Sequence, residues 1–436
     1  MKKALVYLAF SILILGLIIS YDVTQCDGQV IMRHFIKTDY EPQYEVPVYA
    51  VVEEIPTPTP KPEPTKVIEV SEEAIEELED EEIVEEKVEE VPQEVDSHAD
   101  EDASRGYEYY FGFLNDKERQ VYRSMYKAFK DVGSGNTIPT VDDEAMNRVA
   151  GYIRLDHPEF YYIKDMGYTH YTLGGQIQKT VLAANYTDSK TVIAMETESM
   201  EEIARKVEAA IPVGADDYAK VKYVYEWIIF NTEYDTSAPD NQNIKSVLLG
   251  SKSVCAGYAR TMQYLLNKLG VDTTVVEGKS LVTGENHAWN LVNINGNYYY
   301  VDPTWGDASY KGNDYDANQY KINYDYLLVT TEELSRTHVT ASDLPVPMCT
   351  ATDDNYYVRE GLMLYGYDSG VLYNIFENAY ANNQSFVTFK CANLEIYDEV
   401  RNVLVKQNGV FNYLHGDAAT ISYVDNEEQR TLCFWL

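Results

Sequence analysis

Residues 67–102 contain 18 acids and a single base, Lys87, and this run decides where the chain can fold. Like charges at that density repel, and the few apolar residues between them cannot bury enough surface to offset lost chain entropy. Immediately before it, residues 55–66 alternate proline with threonine, lysine and glutamate. That composition reads as a semi-rigid polyproline II spacer. Ile75, Leu78, Val84, Val88 and Val91 trace a weak helical stripe, enough for a transient helix. Two readings of the run stand, a stalk holding a domain away from an anionic envelope or a solvated tail. In both, residues 23–103 form a disordered linker and order begins near Ser104.

The acidic run holds nearly half of the net charge of −36, and the remainder stays acidic with no basic stripe. Polyanions are repelled by such a chain, which excludes nucleic acid as a partner. Five cysteines in 436 residues exclude a disulfide-framework fold and a zinc site with paired Cys-x-x-Cys ligands. The length predicts two or three compact units. Tyrosine outnumbers phenylalanine 39 to 12, as in half-wet sheets where the ring packs and the hydroxyl stays hydrated.

At the other end of the linker, Lys2 and Lys3 precede an apolar run from Ala4 to Ser20. Positive charges there orient the run with the N-terminus inside. Its length is close to the roughly 17–25 residues of a spanning helix. Ile18 and Ser20 occupy the places where a cleavage site carries alanine. Residues 1–22 are therefore expected to be a signal anchor in the membrane, preferred over a cleaved signal peptide. The rest of the chain would lie on the extracellular face or, if cleaved, be secreted. Cys26 follows Val23-Thr24-Gln25, a poor lipobox, and reads as incidental.

Past Ser104, periodicity predicts helices over Asn115–Lys130, with an Asn115/Glu118 capping box, and over Asp142–Leu155. Phe160–Ile163 and Tyr168–Thr187 read as strands, the latter broken at Gly174-Gly175. Residues 197–210 and 216–231 read as helices. The next helix opens at Ser253-Val254-Cys255-Ala256-Gly257, repeats Tyr258, Met262, Leu265, Leu266 and Leu269 on one face, and stops at Gly270. Cys255 thus stands at the first turn, where free N–H groups and the helix dipole favour a thiolate and can hold an oxyanion.

Strands are expected over Thr273–Glu277, His287–Ile294 and Asn297–Val301. Asn295-Gly296 is a strong signal for a two-residue type I′ turn. That turn pairs Ile294 with Asn297 and sets Trp289 opposite Asp302. His287 then shares a face with Asp302 and lies diagonal to it, within reach for long side chains. A slip of one residue would turn His287 to the other face. A nucleophile, a base and an orienting carboxylate therefore occur in the order Cys255, His287, Asp302.

These residues resemble the transglutaminase-like superfamily, in the motifs Val254-Cys255-Ala-Gly-Tyr-Ala, His287-Ala288-Trp289-Asn290 and Val301-Asp302-Pro303-Thr304-Trp305-Gly306-Asp307. The resemblance implies an α+β fold with a papain-like catalytic core over residues 193–337. An α+β N-terminal extension, largely helical, would precede it over 104–192. It implies Cys255 as nucleophile, His287 as general base and acid, and Asp302 as the residue orienting His287. It also points to an upstream tryptophan, Trp227, near the oxyanion, with Asn231 and Tyr234 as rival donors. Trp289 and Trp305 stand as further substrate-site candidates. The implied activity is acyl transfer from peptide or protein amides through a Cys thioester. Hydrolysis is preferred over lysine crosslinking, and a cell-wall or surface protein is the expected substrate. A non-catalytic surface scaffold is the rival function.

No cofactor is expected. Asp314-Tyr-Asp316-Ala-Asn318 begins like a calcium loop, but Gln319 and Asp325 stand where such a loop has Gly and Glu. Residues 338–436 read as a small α+β accessory unit. Its expected strands are the Tyr-rich stretch around Tyr356-Tyr357, Tyr365, Tyr367 and Tyr373, then 385–389, 419–424 and 431–436, with a helix over Asp368–Asn382. Two of its three cysteines, Cys349, Cys391 and Cys433, could pair in an oxidising exterior.

Overall fold

The computed structural model describes residues 107–173, 176–307, 322–416 and 420–436, with the backbone of 64–69. The expected anchor over 1–22 and the loop Asp314–Asn318 lie outside the described residues. Among the described residues no helix is long and apolar enough to cross a membrane.

The chain folds as mixed helix and sheet in three units, each with its own sheet and buried core. The first unit pairs Ile163–Leu173 with Gln176–Tyr186, on either side of Gly174-Gly175, and adds the edge strand Asn136–Ile138. Its first helix begins at the predicted cap. The Asn115 side chain accepts from Lys117 N and Glu118 N, and Glu118 reaches back to the Asn115 N–H. Asp142 caps Asp143–Asp156. The first unit is pinned to the second by the Tyr110 hydroxyl, which donates to Val275 O at 2.8 Å, and by Arg154–Glu277 at 2.9 Å.

The second unit is built on an antiparallel five-stranded sheet. In spatial order its strands are Leu327–Val329, Asn297–Val301, Asn286–Ile294, Thr273–Ser280 and His338–Thr340. The helices Asp217–Asn231 and Cys255–Lys268 pack on it through Val224, Ile228, Met262, Leu265 and Leu266. The hairpin register is the predicted one, with Ile294 opposite Asn297 and Asn290 opposite Val301. Asn295 and Gly296 both take positive φ, and Asn293 Oδ1 accepts from Gly296 N at 2.8 Å. Gly270, at φ +76, ends the Cys255 helix.

Several expectations change. Phe160–Tyr162 forms a turn rather than a strand, because Ile163 N donates back to Phe160 O. This lets the adjacent Tyr161 and Tyr162 both be buried, with hydroxyls on Ile193 O and Phe129 O. The helix expected from 197 starts at Lys190, capped by Ser189. Tyr356-Tyr357 opens a short helix capped by Asn355, where Tyr356 stacks on Tyr324 at 3.8 Å. The linker expected to be wholly disordered contributes one strand, Pro64–Glu69, parallel to Tyr168–Thr172. Its Thr65, Val67 and Ile68 are β-branched and suit that conformation.

The boundary expected between 337 and 338 moves as well. His338–Thr340 is a strand of the central sheet, and Cys349, Tyr356 and Tyr357 are buried in the core around it. The accessory sheet begins at Met363–Leu364 and continues with Phe386–Cys391, Thr431–Trp435 and Tyr423–Asn426. Ser369–Ala381 and Leu394–Arg401 pack on it. Cys349 and Cys391 are buried free thiols, so no pair forms among the three cysteines.

Gly278 lets the outermost strand close on the sheet. A Cβ there would come within 2.1 Å of Val339 O and 2.6 Å of the Trp289 ring. Gly278→Ala should cost about 1–3 kcal/mol by overpacking. Gly151→Ala, in a helix with nothing within 4 Å, should be neutral or stabilising. Paired thermal melts of the two variants check this.

Candidate active site

The helix Cys255–Lys268 starts directly at the sulfur-bearing residue, with Val254 as N-cap and no side chain capping the first turn. The amides of Cys255 and Ala256 therefore have no intrahelical acceptor. The start of this helix is fixed by close packing. Ser253 Oγ donates to Asn241 O at 2.9 Å and meets Ser246 Oγ at 2.7 Å. A Cβ on Gly257 would lie 1.8 Å from Ser253 Oγ, so the loop can approach the helix this closely only at glycine.

His287 enters from the neighbouring strand. Asn290, three residues further along the strand and fully buried, donates to Ala259 O at 2.8 Å and to Thr274 O at 3.3 Å. It thereby ties the His287 strand to the Cys255 helix. His287 Nε2 lies 2.7 Å from Asp302 Oδ2. The carboxylate accepts, so Nε2 carries the proton and Nδ1 is left free on the ring, which lies close enough to Cys255 to feel its charge.

Asp302 has no exposed surface. Its Oδ1 accepts from Thr304 N at 2.8 Å and Trp305 N at 3.1 Å, the first amides of the short helix Pro303–Gly306. Its Oδ2 accepts from His287 and, at 3.1 Å, from His338 Nε2. Burial alone would raise the Asp302 carboxyl. The charge and hydrogen bonds of His287, then of His338, outweigh burial and hold it well below the usual carboxylate range. Burial would lower His287, whereas Asp302 and then Cys255 push it up to about 10.

This arrangement matches what a comparison with known families finds. Residues 205–303 fit the family model of the transglutaminase-like superfamily, less than a quarter of the chain. This stretch belongs to that superfamily. The transglutaminase-like domain is also 33% identical over 107 residues to Kyphoscoliosis peptidase of Mus musculus and of Homo sapiens, a match covering 21% of this chain. The chain spans 16% of the length of those relatives. A solved structure of a TGase shares 16% identity over 35% of this chain and 56% of its own, with a TM-score of 0.24.

Within the transglutaminase-like domain the other candidates separate. Trp289 is fully buried, with its ring 5.9 Å from His287, and the half-buried Trp305 lies 6.0 Å from it. Both wall the imidazole. Tyr234 is 40% exposed and close enough to Cys255 and Asp302 to feel their charge. Trp227 packs against the core, and Asn231 Nδ2 donates back to Trp227 O at 2.7 Å. The Asn231 amide is therefore committed to its own helix. Sequence reasoning missed His338, which lies 36 residues beyond Asp302 with no motif around it.

His287, Asp302 and His338 also have the donor types of a metal site, within 4.8 Å of one another. Tetrahedral zinc ligands stand about 3.3 Å apart. The 2.7 Å and 3.1 Å contacts here fit shared protons instead.

Asp302→Ala strands two amides and two imidazoles, and should cost about 3–5 kcal/mol. The sign with pH follows from the two shifts. The His287 contribution is complete below its ordinary 6.5 and is lost as pH rises through about 10. The Asp302 contribution is present above 3.8 and is lost as pH falls. The stability gap between the native chain and Asp302→Ala should therefore be widest between these limits and narrow above 6.5, as read by urea melts across pH.

Proposed function

We propose that this protein is a cysteine-dependent enzyme that cleaves peptide or protein amides by acyl transfer through Cys255. The observation that carries the reading is His287 held by Asp302 at 2.7 Å and close enough to Cys255 to feel its charge. The Cys255 thiolate attacks the amide carbon. The oxyanion that forms is met by the unpaired amides at the helix start, with Tyr234 available from the open side. The His287 imidazolium gives its proton to the departing amine, leaving a thioester and a neutral imidazole. His287 then takes a proton from water as the water attacks, releasing the acid and restoring the Cys255 thiolate beside the His287 imidazolium. Asp302 stays ionised throughout and orients the ring.

Hydrolysis is our preferred outcome over transfer to a lysine amine, in keeping with the peptidase name of the curated relatives. A cell-wall peptide or surface protein is the proposed substrate. The site would be carried outside the cell on the N-terminal anchor and linker. Cell fractionation checks this placement. The full chain should sediment with membranes, and a chain lacking 1–103 should not.

Alkylation of the native chain checks the chemistry. Iodoacetamide should modify Cys255 ahead of Cys349 and Cys391, whose thiols burial pushes up to about 12. His287→Ala should slow modification of Cys255 about tenfold or more. Cys255→Ala should abolish new termini in a surface-protein digest analysed by mass spectrometry. Equal reactivity of all cysteines, with no products, would leave a scaffold. New lysine isopeptides in place of new termini would identify crosslinking.

A further inference from the structure

We propose that His338 is a positioning residue of the acyl-transfer site: it shares Asp302 Oδ2 with His287, fixing the carboxylate and limiting how tightly it holds the catalytic imidazole. The inference rests on the reading of Cys255, His287 and Asp302 given above, and adds a fourth member from outside the matched stretch 205–303.

An ionised carboxylate has about four acceptor sites. Those of Asp302 are filled by Thr304 N, Trp305 N, His287 Nε2 and His338 Nε2. The two backbone amides fix Oδ1. Oδ2 is divided between two imidazoles, at 2.7 Å and 3.1 Å. His338 is itself held at both ring nitrogens, because Nδ1 lies 2.8 Å from Thr337 Oγ1. Its side chain has no exposed surface. Trp305, Trp289 and Tyr326 surround the ring at 4.6, 5.1 and 5.6 Å. A phenyl ring would fit this aromatic cage, so packing alone does not require an imidazole.

The strand that carries His338 is held at the sheet edge by pairing with Lys279, Ser280 and Gly278. Gly278 faces His287 across the next pair of strands. His338 thus reaches Asp302 from the far edge of the sheet, across the strand that bears His287.

The charge on Oδ2 is what each imidazole draws on. A donor from His338 takes part of it, leaving less for His287. Removing that donor should make Asp302 hold the His287 imidazolium more tightly. The other titratable groups near the pair are Cys255, Tyr234, Tyr225 and Tyr326, with Arg260 beyond Cys255 and Glu285 beyond Tyr234. Burial raises the three tyrosines above their ordinary value, so they stay neutral through the range tested.

The test is the pH dependence of Cys255 alkylation by iodoacetamide in the full chain, which needs no substrate. Its alkaline inflection reports loss of the His287 proton. His338→Phe keeps the ring packing and removes the donor, and should move that inflection up by roughly half to one pH unit. His338→Gln returns an N–H donor and should bring it back toward the native position. If folded His338→Phe leaves the inflection in place or lowers it, His338 only packs and the proposal falls. If His287→Ala itself leaves Cys255 alkylation unchanged, the triad reading fails. If His287→Ala slows alkylation and His338→Phe does not move the inflection, this inference alone fails. Circular dichroism melts of both His338 variants separate a shifted inflection from lost fold.

Discussion

A carboxylate without exposed surface must find a proton for each of its lone pairs inside the protein, and Asp302 does so at the meeting point of three structural elements. The hairpin brings His287, the short helix after Pro303 brings two amides, and the outer strand brings His338. Leaving any of these unpaired would expose a buried charge to the low-dielectric interior, which is costly. The need to satisfy Asp302 therefore ties together the hairpin, the turn at Pro303–Gly306 and the docking of the His338 strand. The orientation of the His287 ring toward Cys255 follows from that constraint.

The second requirement is that the helix bearing Cys255 arrive at the right height. Asn290 does this from the same strand as His287, with one amide on Ala259 O and Thr274 O. Gly257 does it from the other side by admitting Ser253. The thiol, the imidazole and the carboxylate are thus held by polar contacts between neighbouring elements, and the apolar core beneath holds those elements in place.

The accessory unit is joined to this arrangement through a second buried carboxylate. Asp325 accepts from the Tyr357 hydroxyl at 2.7 Å, Asn426 Nδ2 at 2.9 Å and Thr431 Oγ1 at 3.0 Å. Lys390 lies 2.7 Å from Glu333, and Arg336 donates to Glu428 O. The next residue, Tyr326, packs on Trp305 and His338. The C-terminal unit therefore braces the wall of the site, which accounts for the core continuing past residue 337.

Much of this was legible in the sequence because it depends on local rules. The cap at Asn115, the stop at Gly270 and the Asn295-Gly296 turn each follow from local residue preferences. Once that turn fixes the register, a period of two along the strands sends His287 and Asp302 to one face. The sequence therefore determined which three side chains could meet. Tertiary structure alone decided what else meets them. Tyr161 and Tyr162 turn instead of extending because Ile193 and Phe129 offer their carbonyls. His338 joins Asp302 because the chain, after leaving the sheet at Val329, returns to its opposite edge. No local preference encodes that return, since edge pairing depends on which strand is left open when the others have assembled.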